Sequence, residues 1–236
     1  TAFAWDEVGI ITLTPSVADA DYLGAGDVSG TTSGNVGRFY PDHFLLTAGT
    51  LNNRSALACA PVSSFTYAGE ALQAASFQLT ARNGLALPTV TTNYSTANSF
   101  AKLDGSNIAN FNFGAIDLAD ATAPLTATAL TGSLNGISSS GSWVAGVGTF
   151  TANLSLNRAA TPDGPYESFS LGIAPTDTDG VVLNSYSLDT DLPADGNDRG
   201  LVAAATKVRF GRLKLSNAHG SELLNLPVPL LAQYWN

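Results

Sequence analysis

Apolar and polar residues alternate in short runs along most of this chain, and Gly, Asn, Asp or Pro interrupts each run. That is the pattern of half-buried β-strands, whose successive side chains point to opposite faces. The segments Val8 to Leu13, Phe44 to Leu51, Ser76 to Arg82, Thr149 to Leu156, Phe169 to Ile173 and Lys207 to Leu215 all follow it. In the third of these, Phe77, Leu79 and Ala81 form an apolar face and Gln78, Thr80 and Arg82 a polar one. Phe150, Ala152, Leu154 and Leu156 alternate in the same way with Thr151, Asn153, Ser155 and Asn157. No window of helical length carries a 3.6-residue stripe. The Ala-rich stretch from Leu118 to Leu130 is broken by Pro124 and several Thr, so it reads as strand and loop with one helical turn near Asp117 to Ala121.

Turn signals recur at the spacing of a sandwich: Asn83-Gly84, Asp104-Gly105, Asn135-Gly136, Asp163-Gly164-Pro165, Asp179-Gly180 and Asp195-Gly196. The expected fold class is all-β, an antiparallel β-sandwich architecture of two immunoglobulin-like modules with little or no helix. One module is expected over residues 40–170. The second joins 1–39 to 171–236, so that the late strands find a partner in Val8 to Leu13. In Lys207 to Leu215 the pair Val208 and Phe210 falls out of register with Leu213 and Leu215. A β-bulge at Gly211 would restore one apolar face and set Lys207, Arg209, Arg212 and Lys214 on the other.

Composition narrows the function classes. Charged residues make up 12% of the 236, about half the usual share. Ser, Thr, Asn and Gly keep the surface wet instead, a style common in secreted and cell-surface β proteins. The net charge of −9 repels a phosphate polymer and argues against nucleic acid as a partner. No apolar run approaches the roughly 20 residues of a membrane-spanning helix. The chain opens on Thr rather than Met and carries no signal peptide, which is expected of a processed product or a piece of something longer. A single cysteine, Cys59, allows no internal disulfide and no thiolate metal site. It is read as a small buried hydrophobe, or as a partner for a cysteine elsewhere.

Several segments together resemble the C-terminal domain of MshQ-type proteins, which are encoded with the mannose-sensitive haemagglutinin type IV pilus of Gram-negative bacteria. They are Trp5-Asp6-Glu7-Val8-Gly9, Gly37-Arg38-Phe39-Tyr40-Pro41-Asp42-His43-Phe44, Phe65-Thr66-Tyr67-Ala68-Gly69-Glu70 and Asp177-Thr178-Asp179-Gly180-Val181. Arg209-Phe210-Gly211-Arg212-Leu213, Ser216 through Leu224, Pro227-Val228-Pro229-Leu230 and Gln233-Tyr234-Trp235 complete the set. The resemblance runs from residue 5 to 235 and departs at Ala68, where the family has a bulkier residue, usually Met. It implies an exported surface protein tied to pilus biogenesis or adhesion, whose polypeptide continues past Tyr234-Trp235. It implies no catalytic residue.

Candidate chemistry is sparse. Asp177, Asp179, Asp189, Asp191, Asp195 and Asp198 place six of the nineteen acids in one short stretch. Carboxylates one residue apart beside a Gly turn suit Ca²⁺, which takes six to eight oxygens, and Asp177, Asp179, Asp189 and Asp191 are the candidate ligands. The distal Glu of a 12-residue EF-hand loop is missing. A solvated acidic loop, or one paired with the basic strand at Lys207 to Lys214, fits the same residues. His43 and His219 stand far apart, and no Gly-x-Ser-x-Gly elbow opens a helix, so a Ser-His-Asp hydrolase has no basis. Glu7 and Glu222, the acids nearest apolar runs, read as partners for Arg38 or Arg212. Lys102 could cross-link to Asn93, Asn107 or Asn110, but a lone strand Lys ordinarily snorkels outward.

Aromatics could build a glycan platform: Trp5, Trp143 and Trp235 with Tyr22, Tyr40, Tyr94, Tyr166, Tyr186 and Tyr234. Trp143, in a Ser-Gly-Ser-Trp-Val context, is the candidate singled out. Pro227, Val228, Pro229 and Leu230 mark a terminal edge strand, since Pro cannot donate to a ladder, and an open edge is where another subunit can add a strand. The expectation is a non-enzymatic structural or adhesive domain outside the cell, self-associating or joining other pilus or surface proteins. A glycan-binding module is the alternative.

Overall fold

The computed structural model describes residues 4–53, 65–70, 73–118, 127–192 and 195–234. Cys59, Trp235 and most of the helical turn expected after Asp117 lie outside the described residues. The strands are β1 Gly9–Ile11, β2 Val36–Phe39, β3 His43–Asn52, β4 Thr66–Tyr67, β5 Gln73–Arg82, β6 Gly114–Asp117 and β7 Thr128–Ala129. They continue with β8 Leu134–Val144, β9 Val147–Leu156, β10 Tyr166–Ile173, β11 Gly200–Arg209, β12 Gly211–Leu215 and β13 Leu230–Tyr234. The helical content among the described residues is two short 3₁₀ turns. Asp117 itself is the last residue of β6.

Two sheets make a sandwich. One has the order β3-β5-β9-β8 and the other β4-β11-β10-β6-β7. The pairings are antiparallel except for the short β4–β11 contact. The alternation of β5 and β9 translates directly: Phe77, Leu79, Ala81, Phe150, Ala152 and Leu154 are buried, while Gln78, Thr151 and Asn153 face out. In the middle of the opposite sheet, β10 is buried from Phe169 to Ile173 without alternation, as a strand covered on both faces must be.

Aromatic rings fill the space between the sheets. Phe77 meets Phe111 edge-on with centroids 5.2 Å apart, and Trp143 meets Tyr94 at 4.7 Å and Phe44 at 5.3 Å. The two edge-on pairs, Phe77–Phe111 and Trp143–Tyr94, contribute beyond the area each ring buries.

The expected division into 40–170 and a second module differs from this arrangement. β11 pairs with β10 in the sandwich, not with the N-terminal strand, and β1 pairs with β2. The reason is burial: Val202 and Val208 belong to the same core cluster as Phe169 and Leu171. The strand order establishes a sandwich without specifying the immunoglobulin topology.

Gly211 does not form a bulge. β11 ends at Arg209, Phe210 is buried beneath the Arg158 guanidinium at 4.2 Å, and Gly211 starts a strand of another sheet. A Cβ at Gly211 would lie 2.7 Å from the Tyr67 ring, so a residue without one lets the chain turn away there. Leu213 and Leu215 consequently leave the face of Val208 and Phe210 and stand 71% and 68% exposed.

Candidate functional site

The acidic stretch separates into parts that do different things. Asp177 is buried, and its carboxylate accepts the Tyr94 hydroxyl at 2.8 Å and the N–H groups of Asp179 and Val181 at 2.9 Å each. Asp179 is the ion-pair partner of Arg38. Asp198 accepts from the N–H and hydroxyl of Thr190 and pairs with Arg199.

Among the described residues, the carboxylates that converge are those of Asp189, Asp191 and Asp195, with oxygens within 4.8 Å of one another. Desolvation, then the charges of Asp195, Asp198 and Asp189, push the Asp191 carboxyl above its ordinary value. The four residues expected to share one calcium therefore do not form one group: Asp177 and Asp179 hold a turn and an arginine instead. Both Asp189 oxygens already accept backbone N–H groups, from Asp191 and Gly196, so the trio falls short of the six to eight oxygens that Ca²⁺ takes.

The acids do not pair with the basic strand either. Lys207 reaches Glu167 at 3.0 Å, and Arg209, almost wholly buried, bonds the other Glu167 oxygen. These charges cross from β11 to its neighbour β10, the nearest strand, rather than to the loop. Burial raises the Glu167 carboxyl pKa, but the two cations outweigh it and hold it below the ordinary value.

Trp143 is not a platform. It is 1% exposed, its indole N–H donates to the Leu103 carbonyl at 3.1 Å, and the rings of Phe44, Tyr94 and Phe150 pack against it within the core. Its Ser/Gly-rich flanks read as a loop, but they form the edge strand β8, where only the face turned to the core needs to be apolar.

The remaining candidates find local partners. His43 Nδ1 lies 2.8 Å from Asp42 Oδ2. Glu7 accepts from the N–H groups of Thr92 and Asn93 and the Thr92 hydroxyl rather than from Arg38, and Arg212 donates to Gln233. Lys102 Nζ donates to the Ser99 carbonyl at 3.0 Å, while the amides of Asn93, Asn107 and Asn110 bond Val8, Ala109 and Asp104.

The terminal segment is the feature with surface to offer. β12 and β13 form a two-stranded ribbon in the register Gly211↔Tyr234, Leu213↔Ala232 and Leu215↔Leu230. Opposed residues share a face, so Leu213, Leu215, Leu230 and Tyr234 lie on one side and Arg212, Lys214, Leu231 and Gln233 on the other. Pro227 and Pro229 precede β13, whose first residue is Leu230, and Ser216 N–H donates to the Pro229 carbonyl at 3.0 Å. The connecting loop adds Leu223, 84% exposed, with Leu224, Leu226 and Val228. One end is tied to the sandwich through Tyr234, Phe65 and Tyr67, whose rings follow one another at 5.1 Å.

The model for the third domain of the DUF6701 family matches residues 7–201, and the model for its fourth domain matches residues 209–236. No curated protein and no solved structure matches the chain. The gap between the two family matches falls in β11, immediately before the chain leaves the sandwich.

Proposed function

Because this chain belongs to the DUF6701 family and matches its third and fourth domains, we propose that it is a non-catalytic structural and adhesive segment of an exported Gram-negative surface protein of the MshQ type. In this reading the sandwich is a rigid spacer and the terminal ribbon is the joining element. The ribbon carries the proposal: a two-stranded hairpin is marginal by itself in water, and this one turns Leu213, Leu215 and Leu230 to solvent. An apolar ribbon with free edges is stabilised when further β structure pairs with it or covers it. Extracellular placement is supported by the low charge content, and pilus association by the motifs shared with MshQ-type proteins.

Light scattering on the native chain over a range of concentrations tests the joining role. Association that rises with concentration, and that Leu213→Lys with Leu230→Lys abolishes, is the expected result. A strictly monomeric species at every concentration would count against it.

A further inference from the structure

A groove at the start of the sandwich is built for a ligand. Trp5, Asp6, Tyr40, Asp42 and Gly84 line a cleft of about 230 Å³. It is formed by the segment ahead of β1, the turn between β2 and β3, and the loop after β5. Trp5 is 43% exposed and Tyr40 58%, in a molecule whose other described tryptophan is buried in the core.

The backbone around the groove is held on every side. Glu7 fastens the N-terminal segment to Thr92 and Asn93. The Asn83 side-chain amide donates to the Asp6 carbonyl at 3.1 Å, and the Asp42 N–H donates to the Arg82 carbonyl at 2.8 Å. A backbone fixed in this way lowers the ordering cost of binding.

The unspent polar groups define what fits. Asn83 is fully used by Asp6 and Thr89. Asp42 gives one oxygen to His43 and keeps Oδ1. Among the described residues, the Trp5 indole N–H, the Tyr40 hydroxyl and the Asp6 carboxylate have no protein partner. The groove therefore offers aromatic surface, two donors and carboxylate acceptors together.

We propose that this groove binds one ring of a neutral pyranose glycan. The C–H face of such a ring covers aromatic surface, and its hydroxyls both donate to Asp6 and Asp42 and accept from Trp5 and Tyr40. An organic ammonium ion would use the rings and the carboxylates but leave both donors unmatched. An acidic sugar would meet like charge. The volume lies below the roughly 300–1,000 Å³ of drug-sized sites, which sets the occupant at a single ring.

None of these residues belongs to the terminal ribbon, so this site and the joining role stand or fall separately. The test is a titration of the ¹⁵N-labelled chain with methyl glucoside, methyl galactoside and N-acetylglucosamine, followed at the indole N–H signals. With a Kd of about 1 mM, as expected for one small ring, the Trp5 signal shifts saturably with at least one sugar while that of Trp143 stays in place. Trp5→Ala and Tyr40→Ala each weaken binding about tenfold or more, read in both variants at the backbone N–H of Gly84, which lines the groove, with an unchanged melting temperature as the check on folding. Three results overturn the proposal: no saturable shift with any of the sugars, saturation by tetramethylammonium chloride instead, or sugar binding that survives both substitutions.

Discussion

Replacing Tyr94 by Phe removes one oxygen from the centre of the molecule and should cost more than any surface change. That hydroxyl donates to Asp177 Oδ2 at 2.8 Å and accepts the N–H groups of Lys102 and Leu103 at 3.1 Å each. The ring is fully buried between Phe44 and Trp143. Burial first, then the Asp177 charge, push the phenol pKa far up, so it stays neutral and donating at any ordinary pH. In Tyr94→Phe the two N–H groups and one carboxylate oxygen lose their partner. An unsatisfied buried group costs about 1–3 kcal/mol. Lys102 is only half-buried, which discounts one of the three, so the expected loss is about 3 kcal/mol. For a chain of this length that lowers Tm by about 6–12 °C. Urea denaturation followed by circular dichroism measures it, and a double-mutant cycle with Asp177→Asn should return a coupling of about 1–3 kcal/mol. A loss below about 0.5 kcal/mol, the level of an ordinary surface substitution, would refute the claim that this hydroxyl holds the 94–103 loop and the 177–181 turn together.

Two further outcomes follow from local geometry. Ala145 and Gly146 make the β8–β9 turn, with φ of 47° and 80°; the exposed Ala145 sits where Asn is preferred, so Ala145→Asn should raise stability by about 0.5–1 kcal/mol in chemical denaturation. At Glu7, burial raises the carboxyl pKa, but the N–H groups of Asn93, Thr92 and Val8 with the Thr92 hydroxyl outweigh it and bring it below the ordinary 4.5. Stabilisation from a lowered pKa is present above the unfolded value and lost as pH falls through the folded one; Glu7→Gln should therefore cost about 1 kcal/mol at pH 7, and the gap from the native chain should close at pH values below the folded pKa.

The strands that alternate cleanly were legible because a two-residue period leaves one physical solution. Phe77 to Ala81 and Phe150 to Leu154 occupy the faces their pattern assigns. β8 was not legible, because Asn135 to Ser142 has no apolar alternation; it pairs along its length with β9 as an outer strand whose solvent side needs none. The Lys207 to Leu215 segment misled for a different reason. Its two apolar registers are equally consistent with a bulge inside one sheet and with two strands in two sheets. The choice is made by Tyr67 and Arg158, which are remote in sequence and hold Gly211 and Phe210. Trp5 and Tyr40 stood among the aromatic residues of the sequence, but their convergence on one groove depends on the Glu7 and Asn83 hydrogen bonds, which no periodicity encodes.

The acids explain why the sequence pointed to a cation where the structure has a framework. Nineteen carboxylates face ten basic side chains, so nine acids have no Lys or Arg to pair with one to one. A β-sandwich with long connections also leaves many N–H groups outside its ladders, and buried ones must find acceptors. Carboxylates meet both conditions at once. Asp21 takes the N–H groups of Gly24 and Gly26, Asp104 that of Ser106, Asp117 that of Ser168, and Asp198 that of Thr190. An Asp three residues before a turn glycine is thus placed to close the turn on itself, as Asp177 does through Asp179 and Val181 and Asp21 does through Gly24. The same spacing that sets two oxygens toward a metal sets one oxygen toward the backbone, and in this chain Asp177 and Asp198 serve the backbone. Asp189 does the same with both oxygens, through the N–H groups of Asp191 and Gly196. Asp6 and Asp42 stand apart from that framework: the Asp6 carboxylate has no protein partner among the described residues, and Asp42 keeps Oδ1 beside exposed aromatic rings.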